Sequence, residues 1–451
     1  MRAVLVVYAL MQHPLRSTVE DHLYAFQRHS QARCLYVNAM VRPVPGWMRR
    51  IRFDAIVFHT SFLSSMRWGP DLAATLRERA LALEAVPGVR AAMPQDEFLR
   101  SADLCDFIRD VGIDVVFSVA PPSEWPTIYA GVDRERVRFE PVLTGYLDER
   151  TVARIDQILT QTRERPNHLF YRAGAERPYL GRHGMLKTQI ARAGMAEAKR
   201  LDLPADISIA PGDTLLGDDW FRHLAASRWT LGVEGGASIL DRDGAIRVAT
   251  ERYVREHPDA GFDEVEAACF PGRDGELSLF ALSPRHLEAC ATRTGQILVE
   301  GGYSGVLEPG RHYLAVRADL SNLAHVLEQS RDERRRQELT DAAHRDVVAS
   351  GRFTYRSFVE QVEGALFAVP VPARSRLASQ MLRAAEAASR AGDRRSWRQV
   401  ARQLAGHRPV HLRLARTLYR LLRPHRASTA AATPTPRAAS GSPPSASGPP
   451  R

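Results

Sequence analysis

Short apolar runs alternate with stretches whose apolar residues recur three or four apart, and this alternation continues through residue 370. The runs at 3–10 (AVLVVYAL), 33–39 (RCLYVNA), 54–60 (DAIVFHT), 89–94 (VRAAMP) and 114–120 (DVVFSVA) predict strands buried on both faces. One more strand is expected over 137–142. Helical spacing marks 18–28, 71–83 and 102–111 between them. The pattern then restarts. A helix is predicted over 149–162 and is broken before Pro166. Strands follow at 168–173, 207–211, 229–235 and 295–301, with helices at 184–201, 218–226, 284–292, 322–349 and 355–367. Ser283 is the candidate cap of the 284–292 helix, and Pro284 takes its first position. Strands alternating with helices predict parallel sheets covered on both faces. The expected fold is therefore α/β, with two Rossmann-like domains over 1–160 and 161–370. Ligand is expected in the cleft between them, at the C-terminal ends of the strands.

Residues 371–425 break this pattern. They are rich in Ala, Arg and Leu at helical spacing, and predict a basic helical appendage. Two readings stay open for it: a helical hairpin packed on the body, or a basic amphipathic surface for anionic lipid. Residues 426–451 are rich in Pro, Ser and Ala, and are expected to be a disordered tail.

Charge sharpens this division. The chain has a net charge of +10, but from Val371 onward sixteen Arg face only Glu386 and Asp393. The first 370 residues hold 46 basic and 50 acidic residues. A near-neutral body with a basic appendage argues against a nucleic-acid-binding core. The longest apolar stretch, Ala3–Met11, has nine residues, whereas a membrane span needs roughly 20. No small-x-small cleavage site follows it, so it reads as a first strand rather than a signal peptide. Cys34, Cys105, Cys269 and Cys290 are scattered, and signal neither a disulfide framework nor a zinc site. A cytoplasmic protein is expected, with no metal.

The densest candidate chemistry lies between Pro284 and Tyr313. A helix there carries Glu288, a buried strand follows, and the strand ends in Glu300-Gly301-Gly302-Tyr303-Ser304-Gly305. Glycines at a strand end let backbone N–H groups approach a ligand, and a helix carboxylate facing a cleft can accept from two sugar hydroxyls. A solvated helix residue and a plain turn remain the alternatives. Two other patterns are set aside. Asp241-x-Asp243-Gly244 lacks the closing Glu of a calcium loop, since Arg252 stands there. Gly301-Gly302-x-x-Gly305 is not a dinucleotide fingerprint.

Helix–Glu–Ala–Cys, strand, Gly-rich loop and Pro-Gly-x-x-Tyr (309–313) together resemble the C-terminal half of family-four-type glycosyltransferases of GT-B architecture. The likeness is nearest to the CgeB-like branch and to the transferases of surface-polysaccharide clusters. It covers roughly 168–366 and implies a retaining, hexosyltransferase-like enzyme with a nucleotide-diphosphate sugar as donor. No cofactor is implied. Glu288 would bind the ribose or donor sugar. The second Glu of that family's pattern stands eight positions earlier, where this chain has Phe280; Glu234-Gly235-Gly236 would supply it across an insertion of about 45 residues. The resemblance further implies that Arg172 and Lys187 neutralise the departing diphosphate. Lys187 is one of only two lysines, with Lys199. The loop 300–305 would complete the donor site.

The N-terminal domain would then hold the acceptor, a glycan or lipid-linked molecule. It lacks the Gly-Gly loop usual after the first strand. His13, Thr60, Asp96 and Glu97 are the candidate acceptor contacts, with His59 a candidate acid/base at a strand end. Localisation at the inner face of the plasma membrane through 371–425 follows as an expectation. A phosphorylase or epimerase of the same architecture is one competitor. A non-catalytic sugar-nucleotide-binding scaffold is the other, favoured if the two glutamates do not meet.

Overall fold

The computed structural model describes residues 2–12, 15–368 and 374–406. His13, the 407–425 part of the appendage and the tail lie outside them.

The first six strands are β1 (Ala3–Tyr8), β2 (Arg33–Asn38), β3 (Ala55–Phe58), β4 (Val89–Ala92), β5 (Val115–Ser118) and β6 (Arg138–Pro141). They form one parallel sheet in the order β2-β1-β3-β4-β5-β6. All six residues of β1 are buried, because it is covered on both faces. Leu5 and Val7 enter one apolar cluster, whereas Val4, Val6 and Tyr8 enter the other. The second sheet contains β7 (Asn167–Arg172), β8 (Ala205–Ser208), β9 (Ser227–Gly232), β12 (Gly295–Val299) and β13 (Leu314–Val316). Its order is β13-β12-β9-β7-β8, again all parallel. A two-stranded antiparallel hairpin, β10 (Gly235–Ala237) with β11 (Leu279–Ala281), hangs from the end of β9. Two parallel Rossmann-like sheets with helices around each are the two α/β domains that the strand pattern predicts, in the GT-B architecture that the resemblance implies.

The chain between β10 and β11 makes an excursion with two helices, Ala245–Glu256 and Phe262–Cys269. Ile239, Leu240, Val265 and Phe270 pack into the cluster that holds Phe98, Leu99 and Leu104 of the first domain. Backbone bonds fix the join: Asp241 N–H to the Phe98 carbonyl at 2.8 Å, and Arg100 N–H to the Asp241 carbonyl at 2.6 Å. The Asp241 carboxylate accepts from the amides of Gly244, Ile246 and Arg247, so it closes a turn that starts a helix.

The Tyr355–Leu366 helix returns to the first domain. Thr354 caps it by accepting the Ser357 amide, and Phe358, Val359, Val362 and Leu366 join Val4, Val6 and Tyr8. The packing therefore assigns this helix to the first sheet, although the strand pattern placed it with the second. Two helical expectations also change. Residues 18–28 break at Tyr24 into Ser17–Leu23 and Ala25–His29, and a helix over Thr60–Trp68 follows β3 directly.

Within the appendage, Arg376–Gly406 is one continuous helix packed on the body. It covers β2, the edge strand of the first sheet. The Ser389 hydroxyl accepts the Tyr36 amide at 2.8 Å and donates to the Tyr36 carbonyl at 3.2 Å. Asp393 accepts from the hydroxyls of Tyr8 and Tyr24 at 2.5 and 2.7 Å. The two acidic residues of this basic segment thus both face the body, since Glu386 pairs with Arg33 at 2.9 Å. Among the described residues no helix is long and apolar enough to cross a membrane.

Candidate donor and acceptor site

In a doubly wound sheet, ligands bind where the strand order reverses, beyond the C-terminal ends of the strands. The second sheet reverses between β7 and β9. A recess of about 140 Å³ lies there, lined by Tyr171 and Ala173 at the end of β7, Leu231 to Val233 at the end of β9, and Lys187, Trp220 and Arg285. That is about the volume of a cavity known to admit one six-membered ring.

Glu288 meets this recess through Trp220. The indole N–H of Trp220 donates to the Glu288 carboxylate at 2.7 Å. Glu288 is 7% exposed, and burial pushes its carboxyl up to about 7, against the lowering from the Trp220 N–H and Arg285. The side chain is buried and held by the Trp220 N–H rather than by solvent.

Two cations flank the recess. The Lys187 ammonium pairs with Glu176 at 3.0 Å. Arg285, at the start of the Pro284–Ala291 helix, has its guanidinium 5.5 Å from the Trp220 ring centre. It donates to the Arg172 carbonyl at 2.5 Å. The Arg172 side chain itself points away from the recess. It pairs with Asp206 on β8 at 2.5 Å, which corrects the expectation that it faces a diphosphate. The Asp206 carboxylate and carbonyl on the neighbouring β8 both accept from its guanidinium and hold it there. Arg285 follows a helix-starting proline and was open to recognition. Trp220 shares an apolar helix face with Phe221 and Leu224, and nothing in the sequence separates it from a core residue.

Glu234 lies at the end of β9, 5% exposed. It accepts the amides of Gly302 at 3.1 Å and Tyr303 at 2.6 Å, and burial raises its carboxyl from the ordinary carboxylate range. A Cβ at Gly301 would overlap this carboxylate, so glycine is required there. Gly235 pairs with Ala281 and Gly236 with Phe280. At Gly236 φ is +118°, and any Cβ would strike the Leu279 carbonyl. The hairpin closes the long excursion on itself and returns the chain beside Glu234, just before the helix that carries Glu288.

The loop 300–305 divides. Glu300, Gly301, Gly302, Ser304 and Gly305 are exposed, and Gly302, Ser304 and Gly305 face a cleft of about 620 Å³ between the domains. Tyr303 is not a ligand contact. It is fully buried between His286 and Tyr313, with its hydroxyl on the Val299 carbonyl at 2.5 Å.

The acceptor candidates fare differently. His59 is 2% exposed. Its Nδ1 accepts the Ser61 amide at 3.1 Å, capping the Thr60–Trp68 helix, and its Nε2 meets His22 Nδ1 at 2.8 Å. It is a sealed cap rather than a cleft acid/base, because a helix starts immediately after β3. Thr60 donates to the Met93 carbonyl at 2.8 Å. Glu97 is fully buried and accepts from Ser118, Tyr129 and the amides of Val119 and Ala120. It has no lone pair left for an acceptor, but it fixes the loop that walls the cleft. Asp96 is exposed and accepts from the Trp68 indole at 3.3 Å. Among the described residues no group of three His, Cys, Asp or Glu is placed to hold a metal ion.

Two Rossmann-like domains with a ligand-sized cleft between them, and a recess at the switch point of the second, define the class. No family model and no curated protein matches the sequence. Solved structures similar to it include HepE of Anabaena in complex with UDP, at 11% identity and TM-score 0.47, covering 82% of this chain and 100% of that one. Sucrose-phosphate synthase of Thermosynechococcus elongatus is similar at 13% identity and TM-score 0.44, covering 82% and 100%. An Escherichia coli structure bound with UDP-2-fluoro glucose follows at 10% and 0.43, covering 82% and 99%.

Proposed function

We propose that the protein is a glycosyltransferase that moves a sugar from a nucleotide-diphosphate sugar to a glycan or lipid-linked acceptor of cell-surface glycoconjugate synthesis. The observation that carries this reading is the recess at the β7/β9 reversal, with Lys187 and Arg285 beside it and Glu288 held behind Trp220. A ring of the donor fills the recess against Trp220, whose N–H Glu288 holds from behind. The two cations stabilise the charge that develops on the departing diphosphate. The acceptor oxygen bonds to the anomeric carbon as the bond from that carbon to the diphosphate oxygen breaks. The electron pair leaves with the diphosphate, which also takes up the acceptor's hydroxyl proton. Glu234 is the carboxylate at the cleft that assists at the reacting centre. A hexosyl donor and retained configuration belong to the same proposal and rest on the family resemblance; the anomeric proton signals of donor and product test them.

A panel of UDP- and GDP-sugars tests the reading by thermal shift and by nucleotide release. One donor should stabilise the protein and be turned over. If no donor does either, and Glu288→Gln alters no binding, the transferase reading is lost. Peripheral membrane contact is a separate part of the proposal. Arg383, Arg394, Arg395, Arg398 and Arg402 lie on the exposed face of the Arg376–Gly406 helix and support it. Flotation with anionic vesicles, with and without 374–451, is the check.

A further inference from the structure

Two charged side chains line the cleft between the domains: Glu234, at the end of β9, and Arg352, in the turn before the Tyr355–Leu366 helix. The Arg352 side chain is exposed, but the backbone around it is fixed. The Gly351 carbonyl accepts from the hydroxyls of Thr354 and Ser357 at 3.0 and 2.9 Å, and the Phe353 carbonyl accepts the Leu147 amide at 2.9 Å. Neighbouring arginines have carboxylate partners: Arg345 pairs with Asp346 at 3.0 Å, and Arg356 with Glu149 at 2.8 Å. Arg352 differs. Its guanidinium rests 5.4 Å from the Phe353 ring centre, and among the described residues no carboxylate lies within ion-pair distance of it. Groups that pair with hydroxyls surround it. The Tyr146 hydroxyl accepts the Leu143 amide at 2.9 Å, which leaves its own proton to donate. The Ser304 hydroxyl accepts the Leu282 amide at 3.2 Å and is placed likewise. Gln361 donates from its NH2 to the Pro141 carbonyl at 2.9 Å, and its side-chain carbonyl is left to accept. Ser278 adds an exposed hydroxyl.

A hydrophilic ring can therefore exchange its water for partners in this cleft, and one place in it calls for a negative charge. We infer that the acceptor is an acidic sugar, a uronosyl residue whose carboxylate pairs with Arg352 while its reacting hydroxyl faces Glu234. A guanidinium fork meets a carboxylate through two parallel N–H bonds, and the Phe353 ring behind it favours the cation. One guanidinium balances the single charge of a carboxylate. A phosphate dianion calls for a second cation, and among the described residues the cleft's lining holds none besides Arg352. Lys187 and Arg285 line the separate donor recess. The cleft's volume of about 620 Å³ falls in the range of small-ligand sites. The inference rests on the transferase reading for the reaction, but the binding it requires is independent of turnover.

The test uses the full chain and three probes: methyl glucuronide, its neutral counterpart methyl glucoside, and glucose 6-phosphate. Binding is measured by NMR titration, and transfer is measured separately with the donor that the nucleotide-sugar panel identifies. The glucuronide should bind about tenfold more tightly than the glucoside, as hydrogen bonds to a charged group allow. Arg352→Gln should remove that preference and leave donor affinity and melting temperature unchanged, because the side chain is exposed and outside the donor recess. Arg352→Lys should keep part of the preference, as a point charge without the fork. Equal or tighter binding of the glucoside, a preference for the phosphate, or binding of no probe overturns the inference. So does a preference that survives Arg352→Gln, or a loss of donor affinity in that variant. Glucuronide binding that depends on Arg352, without any sugar transfer, leaves the inference standing and removes the transferase reading instead.

Discussion

The Glu234 carboxylate accepts the Tyr303 amide at 2.6 Å and so ties the end of β9 to the loop that follows β12. That loop is strained. Tyr303, Ser304 and Gly305 have φ of 43°, 52° and 70°, and two of these are not glycine. The buried carboxylate offsets the strain by binding two amides that otherwise go unmet. The amides go to different oxygens, so Glu234→Gln keeps an acceptor for one of them and sets its NH2 against the other, whereas Glu234→Ala keeps neither. The alanine variant should lose about 2 kcal/mol of stability, from an unsatisfied buried amide. The glutamine variant, with one amide still met, should melt between the parent and the alanine variant yet release nucleotide about a hundredfold more slowly than the parent. Equal turnover in parent and glutamine variant would confine Glu234 to holding the loop.

Glu288 gives stability a pH dependence with a definite sign. Its folded-state carboxyl titrates at about 7 rather than the usual 4.5. Between those values the folded protein holds the extra proton, so its stability falls as pH rises. The contribution is at most about 3 kcal/mol, because each pH step of one between the two values is worth about 1.4 kcal/mol. Urea melts from pH 5 to 8 (roughly, the window between the two values) should show the decline, and Glu288→Gln should flatten it. A saturating donor should also reduce it, if its hydroxyls hydrogen-bond the ionised form. Trp220→Phe removes the N–H that favours ionisation and should steepen the decline.

Much of this arrangement was legible in the sequence, and what was not has physical causes. The buried strands declared themselves because β-branched runs covered on both faces leave little ambiguity. Glu234 follows a strand and Glu288 sits on a helix, as the periodicity predicts. The excursion from Ser238 to Ser278 hid its structure, because its helices pack on the other domain and carry no strand period. Arg172 misled because a strand's last residue was assumed to face the ligand, and its partner Asp206 on β8 lies far off in sequence. His59 misled because the Thr60–Trp68 helix was missed, and with it the capping role. Trp220 was invisible, since a donor N–H on an apolar helix face looks like any core aromatic.

The His22–His59 pair sets the opposite pH dependence. His59 Nδ1 accepts the Ser61 amide, so its Nε2 carries the proton and donates to His22 Nδ1. A second proton on either ring would set N–H against N–H or break the helix cap. Burial holds His22 at about 4 and His59 well below the ordinary imidazole value. The unfolded chain takes up protons first, so this contribution is lost as pH falls from about 6.5 toward about 4. His22→Phe should pack against Tyr355 and Phe358, lower stability at neutral pH by about 1 kcal/mol for the unpaired His59 N–H, and shallow the acid decline. An unchanged acid slope would assign that slope to other buried histidines, such as His168 and His286.

An edge strand presents unpaired backbone groups, and β2 is protected by the Arg376–Gly406 helix rather than by another strand. Ser389 is central, because its hydroxyl serves both polar groups of Tyr36. Asp393 adds a second tie through Tyr8 and Tyr24. Ser389→Ala leaves the Tyr36 amide and carbonyl buried without partners, and should cost about 1–3 kcal/mol. Removing 374–451 should do more than destabilise, because it uncovers β2, whose residues Cys34 to Asn38 are all buried. The truncated chain should associate through that edge, seen as concentration-dependent mass by light scattering, while Ser389→Ala stays monodisperse under the same conditions. A truncated chain with the parent's mass and melting point would show that the helix rests on the sheet without protecting it. In that case the acidic contacts of Glu386 and Asp393 would serve only to orient the outward arginines.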